Sequence, residues 1–290
     1  MKQKNIDKYT LMTTAPVPRL IGSLAVPTII SMLITSFYVM ADTYFVGKIN
    51  TQSTAAVGIS FSVMAIIQAF GFFFGHGSGN YISRKLGARE YQSAEKMAST
   101  GFFCAFIAGT LITVFGLIFL SPICKALGST STILPYSETY LGIILLGAPF
   151  MASSLVLNNQ MRFQGNAVYA MIGIIVGAVL NIGLDPLLIF VFDMGIAGAG
   201  IATLASQICS FIILLYMDRK GENIRIRFSN FTPKLSLLKE ILYGGSPSLC
   251  RQGLASTATI LLNVAAGRYG DAAIAGMSIV TRICMFINSF

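Results

Sequence analysis

Long stretches without any charged residue constrain this chain more than any other feature of its sequence. Residues 20–40, LIGSLAVPTIISMLITSFYVM, contain no acidic or basic side chain. About 20 apolar residues at ~1.5 Å rise per residue cross a hydrocarbon core of roughly 30 Å, so this run predicts a membrane-spanning helix. Hydrophobic residues form 54% of the 290 residues and charged residues 11%, with a mean hydropathy of +0.73. These values are typical of an all-α polytopic membrane protein and exclude a soluble domain.

Further charge-poor runs predict seven spanning helices and the start of an eighth. They lie at 20–46, 54–82, 98–120, 137–160, 167–191, 195–217, 236–266 and 272–290. The longest polar stretch, DRKGENIRIRFSNFTPKLSLLKE, separates the sixth span from the seventh. No small-residue cleavage site follows a short apolar core, so we expect no removable signal peptide and assign the first run to the first helix.

The basic residues are distributed unevenly between the loops. With the N-terminus in the cytoplasm, fifteen of the twenty lysines and arginines fall in inner segments, and only Lys48, Lys125 and Arg268 fall in outer loops. Because cytoplasmic loops carry an excess of basic residues, we expect a multi-pass cell-membrane protein with a cytoplasmic N-terminus. This distribution also explains the net charge of +9 without nucleic-acid binding. Two arginines, Arg251 and Arg282, lie inside predicted spans.

A weak internal repeat relates the first predicted span to the seventh. Gly47 follows Pro27 by twenty residues, and Gly267 follows Pro247 at the same interval. Parallel repeats of this kind predict a twelve-helix parent with two six-helix lobes, although chance similarity between Gly- and Ala-rich helices is the alternative. We expect three regions: an N-terminal lobe at 1–217, a cytoplasmic linker at 218–235, and the truncated start of the second lobe at 236–290.

Only two of the eleven acidic residues, Asp42 and Asp185, are embedded in apolar sequence. A carboxylate inside a span costs about 2.5–3.5 kcal/mol on insertion scales, so such residues usually face an internal cavity and have a function. For Asp42 the alternative is a position in the headgroup region. The repeat places Leu262 at the position equivalent to Asp42, so symmetry does not require an acid there.

The surroundings of Asp185 predict an oxygen-rich pocket. Asn181 precedes it by four residues and therefore shares its helical face. Pro186 lacks an N–H group, which leaves a backbone carbonyl one turn earlier without its helical partner. Thr203 in the next helix offers another oxygen, and Tyr38 lies one turn before Asp42. Such oxygens hold a proton or coordinate a small hard cation, whereas ordinary helix packing is the alternative for the threonine and the tyrosine.

Other motifs indicate structure or exclude a class of activity. Gly71, Gly75 and Gly79 recur every four residues and predict close helix contact. His76 is interpreted as a polar helix-end residue, with a proton relay as the alternative. The five cysteines show no metal-ligand spacing and are interpreted as small buried apolar residues. No P-loop, HExxH motif or Ser–His–Asp set is present, which argues against ATP-driven transport and hydrolysis.

Several segments together resemble the multidrug and toxic compound extrusion (MATE) family, in particular its bacterial DinF-type and Mep-type branch. They are the proline in the first helix, the aspartate near its end, GHGSGNYISRKLGA at 75–88 and NIGLDP at 181–186. The resemblance implies two six-helix lobes around a central cavity and efflux driven by inward H⁺ or Na⁺. It places the coupling site of the N-terminal lobe on Asp42, Asn181, Asp185, Thr203 and the nearby Tyr38, with Pro27 and Pro186 as helix-bending positions.

The resemblance implies a secondary active multidrug antiporter, and not an enzyme. It would export amphiphilic organic cations in exchange for H⁺ or Na⁺ and so contribute to antibiotic resistance. We expect no cofactor and no resident metal, a monomer in the lipid bilayer, and a second lobe supplied by sequence beyond this chain. A lipid-linked saccharide flippase of the same superfamily is one alternative, although its cavity would be lined with arginines. An intramembrane aspartyl hydrolase is another, although the second acid lies in GLDP and not in a GxGD context.

Overall fold

The computed structural model describes residues 16–220 and 224–287, without the side chains of Arg19 and of residues 285–287. Every regular element in these residues is helical. Five of the charged residues counted above lie outside the described residues: Lys2, Lys4, Asp7, Lys8 and Glu222. The helices, numbered in chain order, are α1 Val17–Gly47, α2 Thr51–Gly87, α3 Tyr91–Ile118, α4 Leu120–Ala126, α5 Leu134–Leu146, α6 Ala148–Phe163, α7 Ala167–Pro186, α8 Gly195–Lys220, α9 Leu235–Gly267 and α10 Asp271–Ile287.

Five of these helices are long and apolar enough to cross a membrane, and a sixth span results if α5 and α6 are one bent span. This agrees with the first six predicted spans. The predicted seventh and eighth spans form α9 and α10, but these two helices are not among the helices that are long and apolar enough to cross a membrane. The polar residues Lys239, Glu240 and Arg251 reduce the apolarity of α9, and only 17 residues of α10 are described.

The fourth predicted span, 137–160, is broken in the structure. Helices α5 and α6 meet at Gly147 with a bend of 50°. Pro149 has no N–H group to donate to the carbonyl of Leu145, so the helical ladder cannot continue through this point. The Thr113 hydroxyl of α3 donates to that carbonyl oxygen at 2.6 Å and replaces the missing bond. The bend is therefore stabilised by a neighbouring helix.

Helix α2 lies at the centre of the bundle and is buried along most of its length. Asn50 caps it, accepting a hydrogen bond from the backbone N–H of Ser53 at 2.7 Å. A Cβ atom added at Gly71 would lie 2.8 Å from the Leu155 side chain, and one at Gly75 would lie 3.0 Å from that of Asn159. The glycine face predicted for close helix contact is confirmed, and its partner is α6.

Helices α9 and α10 pack against the same central helix. The backbones of α2 and α9 approach closely where Gly77 meets Ile241 and where Gly245 meets Phe73. Near this crossing, His76 Nδ1 and Ser248 Oγ are 2.7 Å apart and hydrogen-bonded. Helices α1 and α9 both end at the glycines matched by the internal repeat.

Large apolar side chains remain exposed on the outside of the bundle, where the bilayer covers them. The most apolar window of α1 is only 11% buried within the chain. All five cysteines are free. Cys124 is buried, but Cys250 and Cys284 are exposed, so the interpretation of the cysteines as buried residues is wrong for these two. They lie on helices α9 and α10, which have fewer neighbours than the central helices.

Candidate functional site

Asp185 lies at the C-terminal end of α7 and is completely buried, with 0% exposure. The α-helical hydrogen-bonding pattern stops at Pro186, and a π-helical segment, Leu187–Val191, follows it. The proline ring removes one helical hydrogen bond, and the wider π-helical turn follows at this point. The sequence thus places a carboxylate at a break in regular helical structure, deep inside an apolar bundle.

One predicted partner, Asn181, lies beside this carboxylate and also beside a second partner, Thr203. Asn181 Nδ2 is 3.5 Å from Asp185 Oδ1 and 3.5 Å from Thr203 Oγ1. Both distances are at the outer limit of a hydrogen bond. All three residues are buried. The structure therefore brings Asn181, Asp185 and Thr203 of α7 and α8 into one polar cluster.

Several oxygen atoms in this region have no hydrogen-bond partner among the described residues. They are Asp42 Oδ1, Asn181 Oδ1 and Asp185 Oδ2. Buried oxygen atoms without a partner are costly, because they have lost their hydrogen bonds to water. No basic side chain of the described residues is paired with Asp185. The cluster therefore offers acceptors to a proton or to a small cation.

Asp42 on α1 is also buried, but it is paired with a basic residue. Arg282 Nη1 of α10 lies 3.4 Å from Asp42 Oδ2 and donates to the carbonyl oxygen of Val39 at 3.2 Å. It also donates to the Thr43 hydroxyl. The side chains of the ion pair are less than a tenth exposed. The sequence predicted Arg282 inside a span but gave it no partner. Its presence there was itself a signal, because a charged side chain inside a span requires a partner of opposite charge.

Asp42, Asp185 and two tyrosines share one electrostatic environment. The charge of Asp42 acts on Asp185, and both carboxylates act on the Tyr38 hydroxyl. Tyr140 of α5 lies in the same environment and interacts with Asp42 and Thr203. Tyr140 is 2% exposed and was not predicted from sequence, since a tyrosine in an apolar run is usually a packing residue. The two predicted acids therefore belong to one polar region linking α1, α5, α7, α8 and α10.

A cavity of about 180 Å³ adjoins this region. Three of the predicted site residues, Tyr38, Asn181 and Thr203, contribute to its wall. Most of the wall is apolar, but buried oxygens of Ser154, Ser206 and Gln207 also line it without a partner among the described residues. The remaining lining residues are Thr35, Met151, Leu155, Asn158, Ile174, Gly177, Ala178, Ser210 and Leu214.

A resident transition-metal site is not indicated by the donor set. No group of three or more His, Cys, Asp or Glu side chains that could hold a metal ion occurs within the described part of the chain. The available donors are carboxylate, amide and hydroxyl oxygens, which suit a hard cation.

Comparison with known proteins agrees with this architecture. The MatE family model matches residues 27–187. The multidrug export protein MepA of Staphylococcus haemolyticus is 30% identical over 264 residues, which cover 90% of this chain and 58% of that protein. The chain thus spans about three fifths of the length of the curated relatives it matches.

Solved structures of MATE transporters are similar along nearly the whole chain. The inward-facing conformation of a multidrug resistance MATE family transporter of the MOP superfamily is 30% identical, with a TM-score of 0.82 over 92% of this chain and 61% of that one. The outward-facing conformation of such a transporter gives 30% identity and a TM-score of 0.81 over 92% and 60%. The chain is therefore a multi-pass membrane protein of the MatE family, a family of transporters and not of enzymes.

Proposed function

We propose that this chain is the N-terminal part of a secondary active multidrug exporter, which exchanges amphiphilic organic cations for H⁺ or Na⁺. The observation that carries the proposal is the buried Asp185 carboxylate, with Asn181 and Thr203 beside it and an oxygen without a partner. An uncompensated carboxylate inside a membrane bundle is costly and marks an ion pathway. The names of the relatives, multidrug export proteins, support the export direction.

Asp185 is the first binding group for the coupling ion in this proposal. No basic side chain of the described residues neutralises it, whereas Asp42 is paired with Arg282. A proton would bind one carboxylate oxygen, and Na⁺ would bind the oxygens of Asp185, Asn181 and Thr203 together. Neighbouring carboxylates repel each other, so the uptake of one cation lowers the repulsion within the pair.

Arg282 gives the second carboxylate a different role. It acts as an internal counter-ion that the coupling cation replaces when it reaches Asp42. Release of the guanidinium would loosen the contact between α1 and α10, and thereby between the two proposed lobes. In this way, ion binding in the N-terminal lobe is coupled to the packing of the helices that follow the linker.

The substrate would occupy the cavity beside the ion site. Its apolar wall suits an aromatic or aliphatic body, and the nearby carboxylates attract a positive charge. The volume of about 180 Å³ is below the ~300–1,000 Å³ of drug-sized pockets, so substrate entry requires a wider conformation. Inward-facing and outward-facing conformations are both known among similar transporters. Pro27 and Pro186 are the proposed bending positions.

The polarity of the cavity favours an exporter over a saccharide flippase. A lipid-linked saccharide carries phosphate groups, which require basic partners. No arginine or lysine lines the described cavity. The proposed arrangement also has a cytoplasmic N-terminus and is monomeric. Its N-terminal lobe comprises residues 1–217 and its linker residues 218–235.

Efflux by the complete gene product tests the proposal. Cells of an efflux-deficient bacterium expressing Asp185→Asn should retain as much ethidium as cells with the empty vector. The amide carries no charge at any pH, so uptake of the coupling ion no longer changes the charge of the site. Asp193→Asn is the matched control, since Asp193 is exposed in the loop after α7 and adopts a positive φ of 52° that asparagine tolerates. It should retain full efflux. Full efflux by Asp185→Asn at equal expression would exclude this coupling site.

A further inference from the structure

A second cavity, which shares no lining residue with the proposed transport site, lies at the end of the bundle where α8 leaves for the linker. Its volume is about 680 Å³, within the ~300–1,000 Å³ of small-molecule sites. Helices α3 and α8 and the extended segment after Ile224 form its walls. Nothing in the ion or substrate mechanism uses these residues.

One part of this cavity is aromatic. Phe102, Phe103 and Phe106 of α3 and Phe211 of α8 line it. The Phe102 and Phe211 rings are stacked, with centroids 6.2 Å apart and an interplanar angle of 10°. Phe228 extends this surface outward and is 77% exposed. Such a surface favours an apolar chain over a purely polar ligand.

The other part of the cavity is basic. Arg219 at the end of α8, together with Arg225 and Arg227 of the linker, lines it with exposed guanidinium groups. One acidic residue, the buried Asp218, also lines it, so positive charge predominates. Arginine guanidinium groups bind phosphate in a bidentate manner and are more weakly hydrated than ammonium groups.

Hydrogen bonds to the bundle hold the linker in this position. The backbone N–H of Ile224 donates to Gln164 Oε1 at 2.8 Å, and that of Arg227 donates to Ser99 Oγ at 3.1 Å. Ile224 and Ile226 pack into apolar clusters of the bundle. The alternating side chains, Arg225 and Arg227, are exposed. The backbone that carries these arginines is therefore held in place before any ligand arrives, which lowers the cost of binding.

We propose that this pocket binds an anionic phospholipid, with the headgroup phosphate on the arginines and one acyl chain against the phenylalanines. An aromatic surface beside a basic rim, at the end of a membrane bundle, matches the amphipathic character of such a lipid. Basic pockets between spanning helices at the cytoplasmic face bind anionic headgroups by the same physics. Because the linker forms the basic rim, lipid binding fastens the linker to α3 and α8.

The absence of tryptophan from the chain permits a selective test. In the complete gene product, with any tryptophan outside these 290 residues replaced by phenylalanine, Phe106→Trp places a single tryptophan in the pocket wall, and lipids with brominated acyl chains quench its fluorescence on contact. Reconstitution would use three parts of phosphatidylcholine to one part of phosphatidylglycerol, with one or the other lipid brominated. The proposal predicts stronger quenching by brominated phosphatidylglycerol, beyond its share of the bilayer.

A matched pair of double variants separates the pocket from the general surface charge. Each basic residue near an anionic lipid surface contributes about fivefold in affinity, so Arg225→Gln/Arg227→Gln should lower the preference for phosphatidylglycerol about 25-fold, and Lys234→Gln/Lys239→Gln should lower it much less. The lysine pair removes the same charge from exposed positions outside the pocket. Equal quenching by both lipids, or equal effects of the two double variants, would overturn the proposal.

Excess inorganic phosphate distinguishes a lipid from a soluble anion. If the acyl chain contributes to binding, phosphate should leave the quenching by brominated phosphatidylglycerol unchanged. If phosphate abolishes the preference, the site binds a soluble anion and the lipid assignment is wrong. None of these measurements depends on transport, so their failure would leave the proposed efflux function untouched.

Discussion

Removal of Arg282 should destabilise the bundle by leaving the buried Asp42 carboxylate without its partner. At the observed 3.4 Å, the attraction between the charges is about 5 kcal/mol for an effective dielectric constant of about 20. Loss of one partner of a buried ion pair typically costs about 3–5 kcal/mol. Arg282→Gln should therefore lower the free energy of unfolding by about 3–5 kcal/mol, because the glutamine carries no compensating charge.

The double variant Asp42→Asn/Arg282→Gln distinguishes the ion pair from mere packing. It removes both charges, so it should recover most of the stability lost in Arg282→Gln. Arg268→Gln is the control, since Arg268 is exposed in the loop before α10, and it should change stability by less than about 0.5 kcal/mol.

Reversible unfolding in detergent micelles, titrated with sodium dodecyl sulfate, measures these differences in the complete gene product. If Arg282→Gln unfolded within about 0.5 kcal/mol of the unmodified protein, the ion pair would contribute nothing and the reasoning would be refuted. If the double variant were less stable than either single variant, the two side chains would act independently of each other.

Two further predictions concern the helix bend and the inner loop. Thr113→Val should lower the free energy of unfolding by about 1–3 kcal/mol in the same titration, because the Leu145 carbonyl loses its hydroxyl donor, while Thr113→Ser should not. The Lys85 ammonium beside Glu90 lowers the pKa of that carboxyl. The ion pair therefore stabilises the folded state at neutral pH, and this contribution is lost as the pH falls through the lowered pKa. In a carbon-13 NMR titration, the Glu90 midpoint should lie below 4.5 and should rise in Lys85→Gln, and an unchanged midpoint in that variant would contradict the assignment.

The polar cluster around Asp185 could be predicted because its strongest signals are local. Asn181 and Asp185 are four residues apart on one helix, so helical periodicity alone brings the amide to the carboxylate. Pro186 predicted the end of that helix, because proline has no backbone N–H to donate to the helical hydrogen-bond pattern. The glycines of α2 identified their contact face in the same way, through a spacing of four residues.

Contacts between distant segments could not be predicted by the same means. Asp42 and Arg282 are 240 residues apart, and no local period connects them. Tyr140 belongs to the same electrostatic environment as Thr203 but lies on a different helix. The bend at Gly147 did have a local signal in Pro149, but the low charge of 137–160 favoured one continuous span. Hydropathy reports whether a segment is apolar, and it does not report whether its backbone hydrogen bonds are continuous.

The central claim, that substrate and a small cation exchange through Asp185, is tested most directly by ion release on substrate binding. Ethidium would be added to the purified complete protein in detergent, with protons followed by a pH-sensitive dye and Na⁺ by a selective electrode. The account predicts release of H⁺ or Na⁺ from the unmodified protein and from Asp193→Asn, and no release from Asp185→Asn. Ethidium binding without release of either ion, or equal release from Asp185→Asn, would contradict it.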